Sequence, residues 1–532
     1  MKKKLNKKLL FSSLGFIGAI ALVAPVIAAC TNNHDNGSGS KDGGAGSSKR
    51  IGSSTKDFYV SVHGQNSDQF AGTLLGAISE GTKTLLSIGY GQGEKLGTSL
   101  NAGKFGNNTS FALIDESYSG SFGAYDQKLN ALRVASVTFK TEQAALLAGI
   151  AAAYYLNSNQ AQFVTNGKLG WGGYAGLPFY SVLQFNQGFK FGVEWANDLL
   201  KDKDIKQADG SSKKYINVDY ITKNGSENID LITGGFDPGD KDKKITNDLI
   251  SAGANIILPV AGKQSLDSAS IVAESNQKAF VVGIDSAQEL DDTANKRRNS
   301  NKDLTGGKTI LFSILKRVDL AVYNILKKKI AGEDLTGDIT KDYFKDGVNT
   351  HADLDSGLVQ ISEAGQKFLI DAYNVAKGTS FTTYQEVANV IKNDEYMKLL
   401  DSTKTLDEIK DVVTTNADKS LTLKSEYVNK PFKELVQTIG ANNYVHGTHV
   451  IHYDLVTSSY IDETKKTGST SKDLKNAWEA ATTNEAKGKL IKLSIDNGTV
   501  GINDRSFTQS AYEGITKFYK DTIDAELPAI TE

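Results

Sequence analysis

Two aspartates stand where short apolar runs stop: Phe111-Ala112-Leu113-Ile114 ends at Asp115, and Phe280-Val281-Val282-Gly283-Ile284 ends at Asp285. A carboxylate at such a turn can accept hydrogen bonds from a bound hydroxyl or amide, or it can cap the helix that follows. His446, His449 and His452 repeat every third position, a spacing that on a helix could gather three imidazoles around a zinc ion. Gly447, Thr448, Val450 and Ile451 argue against a helix there, so surface histidines without a metal are expected. Gly307-Lys308-Thr309 looks like the end of a phosphate loop, but Lys302 holds the place of its upstream glycine. Gly89-Tyr90-Gly91-Gln92-Gly93 follows an apolar run like a dinucleotide fingerprint, but Glu94 replaces the third glycine. No nucleophile is paired with a base at a recognisable spacing, so neither catalysis nor a cofactor is expected.

The turns that carry these residues belong to a repeating pattern. Residues 73–80 read as a helix and lead through Gly81 into Thr84-Leu85-Leu86-Ser87-Ile88. Residues 244–252 do the same through Gly253 into Asn255-Ile256-Ile257-Leu258-Pro259-Val260, which stops at Ala261-Gly262. Short apolar runs that alternate with helices predict buried parallel strands in a βα arrangement. Ligands in such sheets bind outside the carboxyl ends of the strands, where Asp115 and Asp285 stand.

Composition sets the outer bounds. A chain of 532 residues allows about three or four units at ~150 residues each. Its net charge of -2 supplies no field to attract nucleic acid, and its single cysteine excludes a disulfide framework. That cysteine has a specific setting. Lys2, Lys3, Lys4, Lys7 and Lys8 precede an apolar run that closes on Ile27-Ala28-Ala29-Cys30. A basic start, an apolar stretch and small residues before a cut describe a secretory signal. Here the ending resembles a bacterial lipobox, in which Cys30 is lipidated and becomes the mature N-terminus. Removal of the signal leaves 55 basic against 62 acidic residues, a balance of -7. Residues 31–55 are Gly, Ser, Asn and Lys with almost no apolar side chain, and read as a flexible tether.

Seven ordered segments add a family resemblance over residues 58–377. The first is Val137-Thr138-Phe139-Lys140-Thr141-Glu142-Gln143-Ala144-Ala145-Leu146-Leu147-Ala148-Gly149. It is joined by 111–115, Gly172-Gly173, Phe185-Asn186-Gln187-Gly188-Phe189 and Gly253-Ala254-Asn255-Ile256-Ile257 with Ala261-Gly262. Gly283-Ile284-Asp285-Ser286 and Ser313-Ile314-Leu315-Lys316-Arg317-Val318 complete the set. Together they resemble the basic membrane protein family of substrate-binding lipoproteins, which includes bacterial purine nucleoside receptors. The family's opening motif resembles a segment near the C-terminus instead. There Asp496-Asn497-Gly498 is followed by Asp504-Arg505-Ser506-Phe507-Thr508-Gln509-Ser510-Ala511. A circular permutation is the preferred account, and a truncated second copy is the alternative.

The resemblance implies an α/β fold: a two-lobed periplasmic-binding-protein-like (type I) clamp with parallel sheets, hinged by crossing strands. The expected layout is a signal peptide at 1–29, a tether at 30–55, and lobe 1 at 56–165 completed by 305–330 and 490–532. Lobe 2 is expected at 166–304 with 331–377, and a helical insertion at 378–489. The implied role is capture of a nucleoside, with a purine expected, and its delivery to the permease and ATPase of an ABC-type importer. The protein would be lipid-anchored on the outer face of the cell membrane. In this reading Phe507 stacks on the base, Asp285 and Lys316 grip the ribose diol, and Asp115 and Asp496 accept from base or sugar. Gly262 lets backbone approach the ligand, Phe179 adds an apolar contact, and Thr508 stands where the family has Asn. Ala287 likewise replaces an Asp of the family's pattern. The absence of an arginine cluster at these turns disfavours phosphorylated ligands. Structural roles compete at each position: the aspartates as helix caps, Phe507 as a core anchor and Lys316 as a solvated residue. A surface adhesin that keeps the fold without the ligand is the alternative function, and a nucleoside hydrolase is a third.

Lipidation generates the first test. Cys30→Ser should release the protein from the membrane fraction, and retention of that variant after a high-salt wash would refute the lipobox.

Overall fold

The computed structural model describes residues 49–89, 91–106, 108–116, 134–221, 231–274, 278–291, 308–333, 349–453, 471–496, 498 and 500–530. Cys30, the tether up to residue 48 and Tyr90 lie outside them. The chain opens with β1 (Tyr59–Ser61), α1 (Ser67–Ser79), β2 (Thr84–Ile88), α2 (Gln92–Asn101), β3 (Ser110–Ile114) and β4 (Val134–Phe139). It crosses to a second sheet through α3 (Thr141–Ser158), β5 (Leu169–Ala175) and α4 (Tyr180–Leu199). The hairpin of β6 (Asp204–Lys206) and β7 (Ser212–Lys214) leads to β8 (Val218–Tyr220), α5 (Asp240–Ser251) and β9 (Ile256–Val260). Next come α6 (Gln264–Glu274), β10 (Phe280–Asp285), β11 (Ile310–Lys316), α7 (Val318–Ala331), β12 (Asn349–Ala352), β13 (Val359–Ile361) and α8 (Glu363–Lys377). The insertion holds β14 (Val413–Thr415), β15 (Leu421–Leu423), β16 (Asn443–His446) and β17 (His449–His452). Last are β18 (Ile491–Ile495) and α9 (Phe507–Ile523).

Two sheets of equal size result. Lobe 1 has the order β1-β18-β2-β3-β4-β12, all parallel, and lobe 2 has β13-β11-β10-β9-β5-β8, with only β13 antiparallel. The expected two-lobed α/β clamp is present. Strands β2, β3, β5, β9, β10, β11 and β18 are buried along their whole length, which is why they read as continuous apolar runs. Helix α3 is Ala-rich and buried almost all round, so it lacks an amphipathic stripe. It lies close against α4 because glycines line the contact. A Cβ on Gly188 would sit 2.1 Å from the Glu142 carbonyl oxygen, and one on Gly192 2.0 Å from that of Leu146.

The lobes are joined at three crossings: Lys140, Arg317 and the turn between β12 and β13. Lys140 and Arg317 share one backbone conformation, φ -77° and ψ 63°. Their N–H groups donate to Ala352 and Leu358, which flank the third crossing.

Three expectations are corrected here. Residues 305–330 do not all complete lobe 1: β11 pairs with β10 in lobe 2, and only α7 returns to pack on α9. Likewise residues 331–377 are divided, with β12 in lobe 1 and β13 in lobe 2. The insertion at 378–489 is not simply helical, because β14-β15-β17-β16 form a four-stranded antiparallel sheet. Its strands are three or four residues long, too short for their alternation to stand out in sequence.

Strand β18 lies between β1 and β2, paired in parallel with both. The end of the chain also returns to the start of the body. Ile51 N–H donates to the Glu526 carbonyl at 2.9 Å, and Glu526 N–H to that of Lys49 at 3.0 Å. A chain re-opened before Leu490, with Ile530 joined to Lys49 by a Gly/Ser linker of about ten residues, should therefore fold with lobe 1 intact. Circular dichroism and thermal melting would check this, and an unfolded product would show that chain order matters beyond proximity.

Candidate functional site

Both sheets share one connectivity. With β18 counted first, lobe 1 runs 2-1-3-4-5, and lobe 2 runs the same way from β8 and β5 to β11. In doubly wound sheets the ligand crevice opens at the carboxyl ends, where strand order reverses. Those points lie at β18/β2 and β5/β9, and a cleft of about 570 Å³ opens between them. Its wall includes Gly89, Asp496, Leu177 and Gly262, which follow those four strands.

Asp115 follows β3 with φ 69°, and Asp285 ends β10 with φ 63°. The left-handed region costs a non-glycine residue roughly 1 kcal/mol or more, so two such turns are a built feature. Between the carboxylates stands Lys316, the last residue of β11 and only 3% exposed. Its Nζ lies 2.9 Å from Asp115 Oδ2 and 4.0 Å from Asp285 Oδ1, and donates at 3.4 Å to the Ser181 carbonyl. The same ammonium lies over the rings of Phe185, Phe507 and Phe139 at 5.2, 5.4 and 5.8 Å. Ser506 Oγ donates to Asp285 Oδ2 at 2.6 Å, which ties the C-terminal segment to lobe 2. Burial pushes the Asp115 carboxyl up to about 6, against the downward pull of Lys316.

At the outer end of the cleft, Asp496 Oδ1 pairs with His63 Nδ1 at 2.9 Å, and Lys95 Nζ lies 3.8 Å from Oδ2. Phe507 begins α9, with its ring edge 3.6 Å from the position of a Cβ on Gly89. The turn before it is organised by buried Asp504, which accepts from the N–H groups of Ser506, Thr508 and Gln509. Thr508 directs its hydroxyl to the Gly501 carbonyl at 2.9 Å. Gly262 has φ 53°, and its carbonyl accepts from Ser265 Oγ. Phe179 is the N-cap residue of α4 and also lines the cleft.

All eight residues proposed from sequence, Phe507, Asp496, Thr508, Asp115, Gly262, Asp285, Lys316 and Phe179, line this one cleft, as does His63. Sequence reasoning missed Ser181, Phe185, Ser506 and the lobe 2 loop through Phe236 and Asp237. Phe185 lies in a matched segment, and at mid-helix in α4 nothing in its sequence context distinguishes it from a core residue. The failed dinucleotide fingerprint also finds its physical role. Glu116 accepts the N–H groups of Gln92 and Gly93 at 3.0 and 2.8 Å, so a carboxylate occupies the N-terminus of α2. Burial drives Glu116 up to about 7 despite those bonds.

The histidines correct another expectation. They lie on the hairpin β16–β17, and His446 is buried, with Nδ1 2.6 Å from the Tyr220 hydroxyl. Among the described residues no group of three or more His, Cys, Asp or Glu could hold a metal ion. A second cavity, about 670 Å³, opens at the amino ends of β1 and β18. Two of its lysines are ion-paired within the lining, Lys492 with Glu80 and Lys489 with Glu485.

Residues 73–232 match the family model described as Bmp, ABC transporter substrate-binding protein PnrA-like. The chain is 31% identical over 280 residues to a Mycoplasma pneumoniae protein named uncharacterized lipoprotein MG040 homolog, covering 45% of this chain and 42% of that one. It is 30% identical over 305 residues to the Mycoplasma genitalium uncharacterized lipoprotein MG040, covering 49% and 51%. The chain thus spans about half the length of the curated relatives it matches. Similar solved structures include an ABC transporter solute-binding protein from Aeropyrum pernix K1, at 21% identity and TM-score 0.39, covering 62% of this chain and 74% of that one. Another is a solute-binding protein from Agrobacterium vitis bound with alpha-D-tagatopyranose, at 11% identity and TM-score 0.33, covering 56% and 80%.

Removal of the Lys316 ammonium strands two buried carboxyls. Lys316→Met should cost about 3 kcal/mol of stability at pH 7.5, as for a broken buried pair. The deficit should shrink toward pH 5, where Asp115 is neutralised by a proton. Denaturant unfolding at both pH values checks this, and an equal deficit at both would remove Lys316 as their counter-ion.

Proposed function

We propose, from the premise that residues 73–232 carry a Bmp, PnrA-like substrate-binding core, that the chain captures a neutral nucleoside and hands it to an ABC-type importer. The observation that carries this reading is Lys316 between Asp115 and Asp285, with Phe507 beside it, in a cleft between two lobes. A ribose presents two adjacent hydroxyls that can donate to carboxylates and accept from an ammonium at once. A nucleobase presents a flat face for Phe507 and Phe179. Thr508 leaves base recognition less constrained than the family's Asn would, because its hydroxyl is engaged by Gly501. A purine is favoured by the resemblance alone.

Among the lining residues, Asp115, Asp237, Asp285, Asp496 and Asp504 face Lys263 and Lys316, an acidic excess that favours an uncharged ligand over a phosphate. Anchoring through Cys30 belongs to the same proposal, as does placement on the outer face of the membrane. The names of the Mycoplasma relatives support it. The account of residues 490–530 as a circularly permuted first strand and helix is also part of the proposal, and the place of β18 between β1 and β2 supports it.

Calorimetry of the protein against nucleosides, free bases, sugars and nucleotides tests the reading. Nucleosides should bind, nucleoside monophosphates more weakly, and Asp285→Ala or Lys316→Ala should weaken nucleoside binding by at least ~1.5 kcal/mol. Binding to no member of the panel would favour an adhesin, and release of free base would favour a hydrolase.

A further inference from the structure

Behind the lobe 2 wall of the cleft, α5 and α6 bring two carboxyls face to face. Asp242 is 1% exposed, and its Oδ1 accepts the Gly239 N–H at 2.8 Å. Its Oδ2 is fully buried and accepts no hydrogen bond. Asp267 lies within hydrogen-bonding reach of it, and the Asp267 Oδ2 is also buried, with Lys243 Nζ 3.4 Å away but making no hydrogen bond to it. Ionised carboxylates only accept, so two buried carboxylate oxygens without a hydrogen bond combine lost hydrogen bonds with like-charge repulsion. One shared proton removes both costs.

The neighbouring donors are engaged elsewhere. Thr246 Oγ1 donates to the Asp242 backbone carbonyl at 3.0 Å and contacts Ser268 Oγ at 2.8 Å. The Tyr174 hydroxyl, from β5, bonds Ser268 Oγ at 2.9 Å and the Gln264 carbonyl at 3.2 Å. Lys243 Nζ stands 3.4 Å from Asp267 Oδ2, which favours Asp267 as the ionised partner and Asp242 as the proton carrier. Lys244 is paired with Asp248, and Lys263 faces the cleft.

Both helices begin where the cleft wall ends. The loop before α5 contributes Gly234, Gly235, Phe236 and Asp237 to that wall, and Gly262 and Lys263 precede α6. Gln264 Nε2 joins the two loops by donating to the Gly235 and Asp237 carbonyls at 3.0 and 2.9 Å. We propose that Asp242 and Asp267 share one proton and act as a pH-dependent clasp, which holds the α5 and α6 loops of the cleft wall together when protonated.

Burial raises Asp242 to about 6, with the Gly239 N–H opposing and Asp267 adding to the rise. An unfolded Asp titrates near 3.9, so between the two values the folded state keeps a proton that the unfolded chain has lost. The stabilisation is full below about pH 4 and disappears as pH rises through 6.

Asp242→Asn separates this device from other titrations. The amide keeps the acceptor for Gly239 and replaces the proton with a permanent donor to Asp267. Between pH 5 and 7 the folding constant of the wild type should fall about tenfold relative to this variant. Hydrogen-exchange protection of residues 231–239 and 261–264, taken relative to the intrinsic exchange rate at each pH, should also fall from pH 5.5 to 7.5 in the wild type, and not in the variant. Both readouts are independent of any ligand. Parallel pH profiles for the two proteins would overturn the proposal. So would a rise in wild-type melting temperature on adding Ca²⁺ or Mg²⁺ at pH 7.5 that Asp242→Asn abolishes, because a cation would then fill the gap.

Discussion

One buried ammonium organises the molecule. Lys316 is almost wholly removed from water, and an isolated charge there would cost several kcal/mol. Its stability depends on carboxylates supplied by both sheets, Asp115 from lobe 1 and Asp285 from lobe 2. That requirement explains the two left-handed aspartates, since only a sharp turn at the strand end aims each carboxyl back into the cleft. It also places the charge cluster at the crossing from β11 to α7, where relative movement of the lobes is smallest for a given rotation. The lobe crossing and the charge cluster are therefore one piece of structure.

The C-terminal segment completes this arrangement. Without β18 the lobe 1 sheet would lack the strand between β1 and β2, and with it the switch point that opens the crevice. Ser506 and Phe507 reach the charge cluster only because β18 delivers the chain to the carboxyl edge of that sheet. We read the displaced motif as a permutation because position in the sheet, not position in the chain, is what these contacts require.

The site was more legible in sequence than the boundaries of the lobes. Fully buried parallel strands announce themselves as apolar runs, and the residue after each run is already at the crevice, so Asp115, Asp285 and Gly262 followed from strand ends. Lys316 and Phe507 needed the family resemblance, because a lysine after Ser-Ile-Leu or a phenylalanine at a helix start is ordinary on its own. Sheet membership was not legible. The run Ile310–Lys316 carries no mark of which neighbour it pairs with, and the crossing at Arg317 depends on backbone angles. The insertion misled because strands such as Val413–Thr415 are too short to show a period. A serine at a helix start reads as an N-cap, so nothing in the sequence marks Ser506 as a donor to Asp285.

The electrostatics of the cleft narrow the ligand further than the fold does. In many α/β proteins a glycine-rich turn leaves a helix N-terminus free to hold phosphate. Here Gly91 and Gly93 serve a different end. A Cβ at Gly93 would lie 2.9 Å from the Glu116 carboxyl, so the glycine makes room for a carboxylate that takes the amide groups itself. The helix dipole is thus spent inside the protein, and the crevice presents aspartates to the ligand. A phosphate brought there would meet Asp115, Asp285 and Asp496, with no arginine among the described lining residues to offset them. Hydroxyls and amines would meet acceptors already fixed in place, with the Lys316 ammonium between Asp115 and Asp285 to receive their lone pairs. In the proposed reading Phe507, one of the rings that hold Lys316 by its charge, would offer its other face to a flat, uncharged heterocycle, so that one side chain serves both the charge cluster and the ligand.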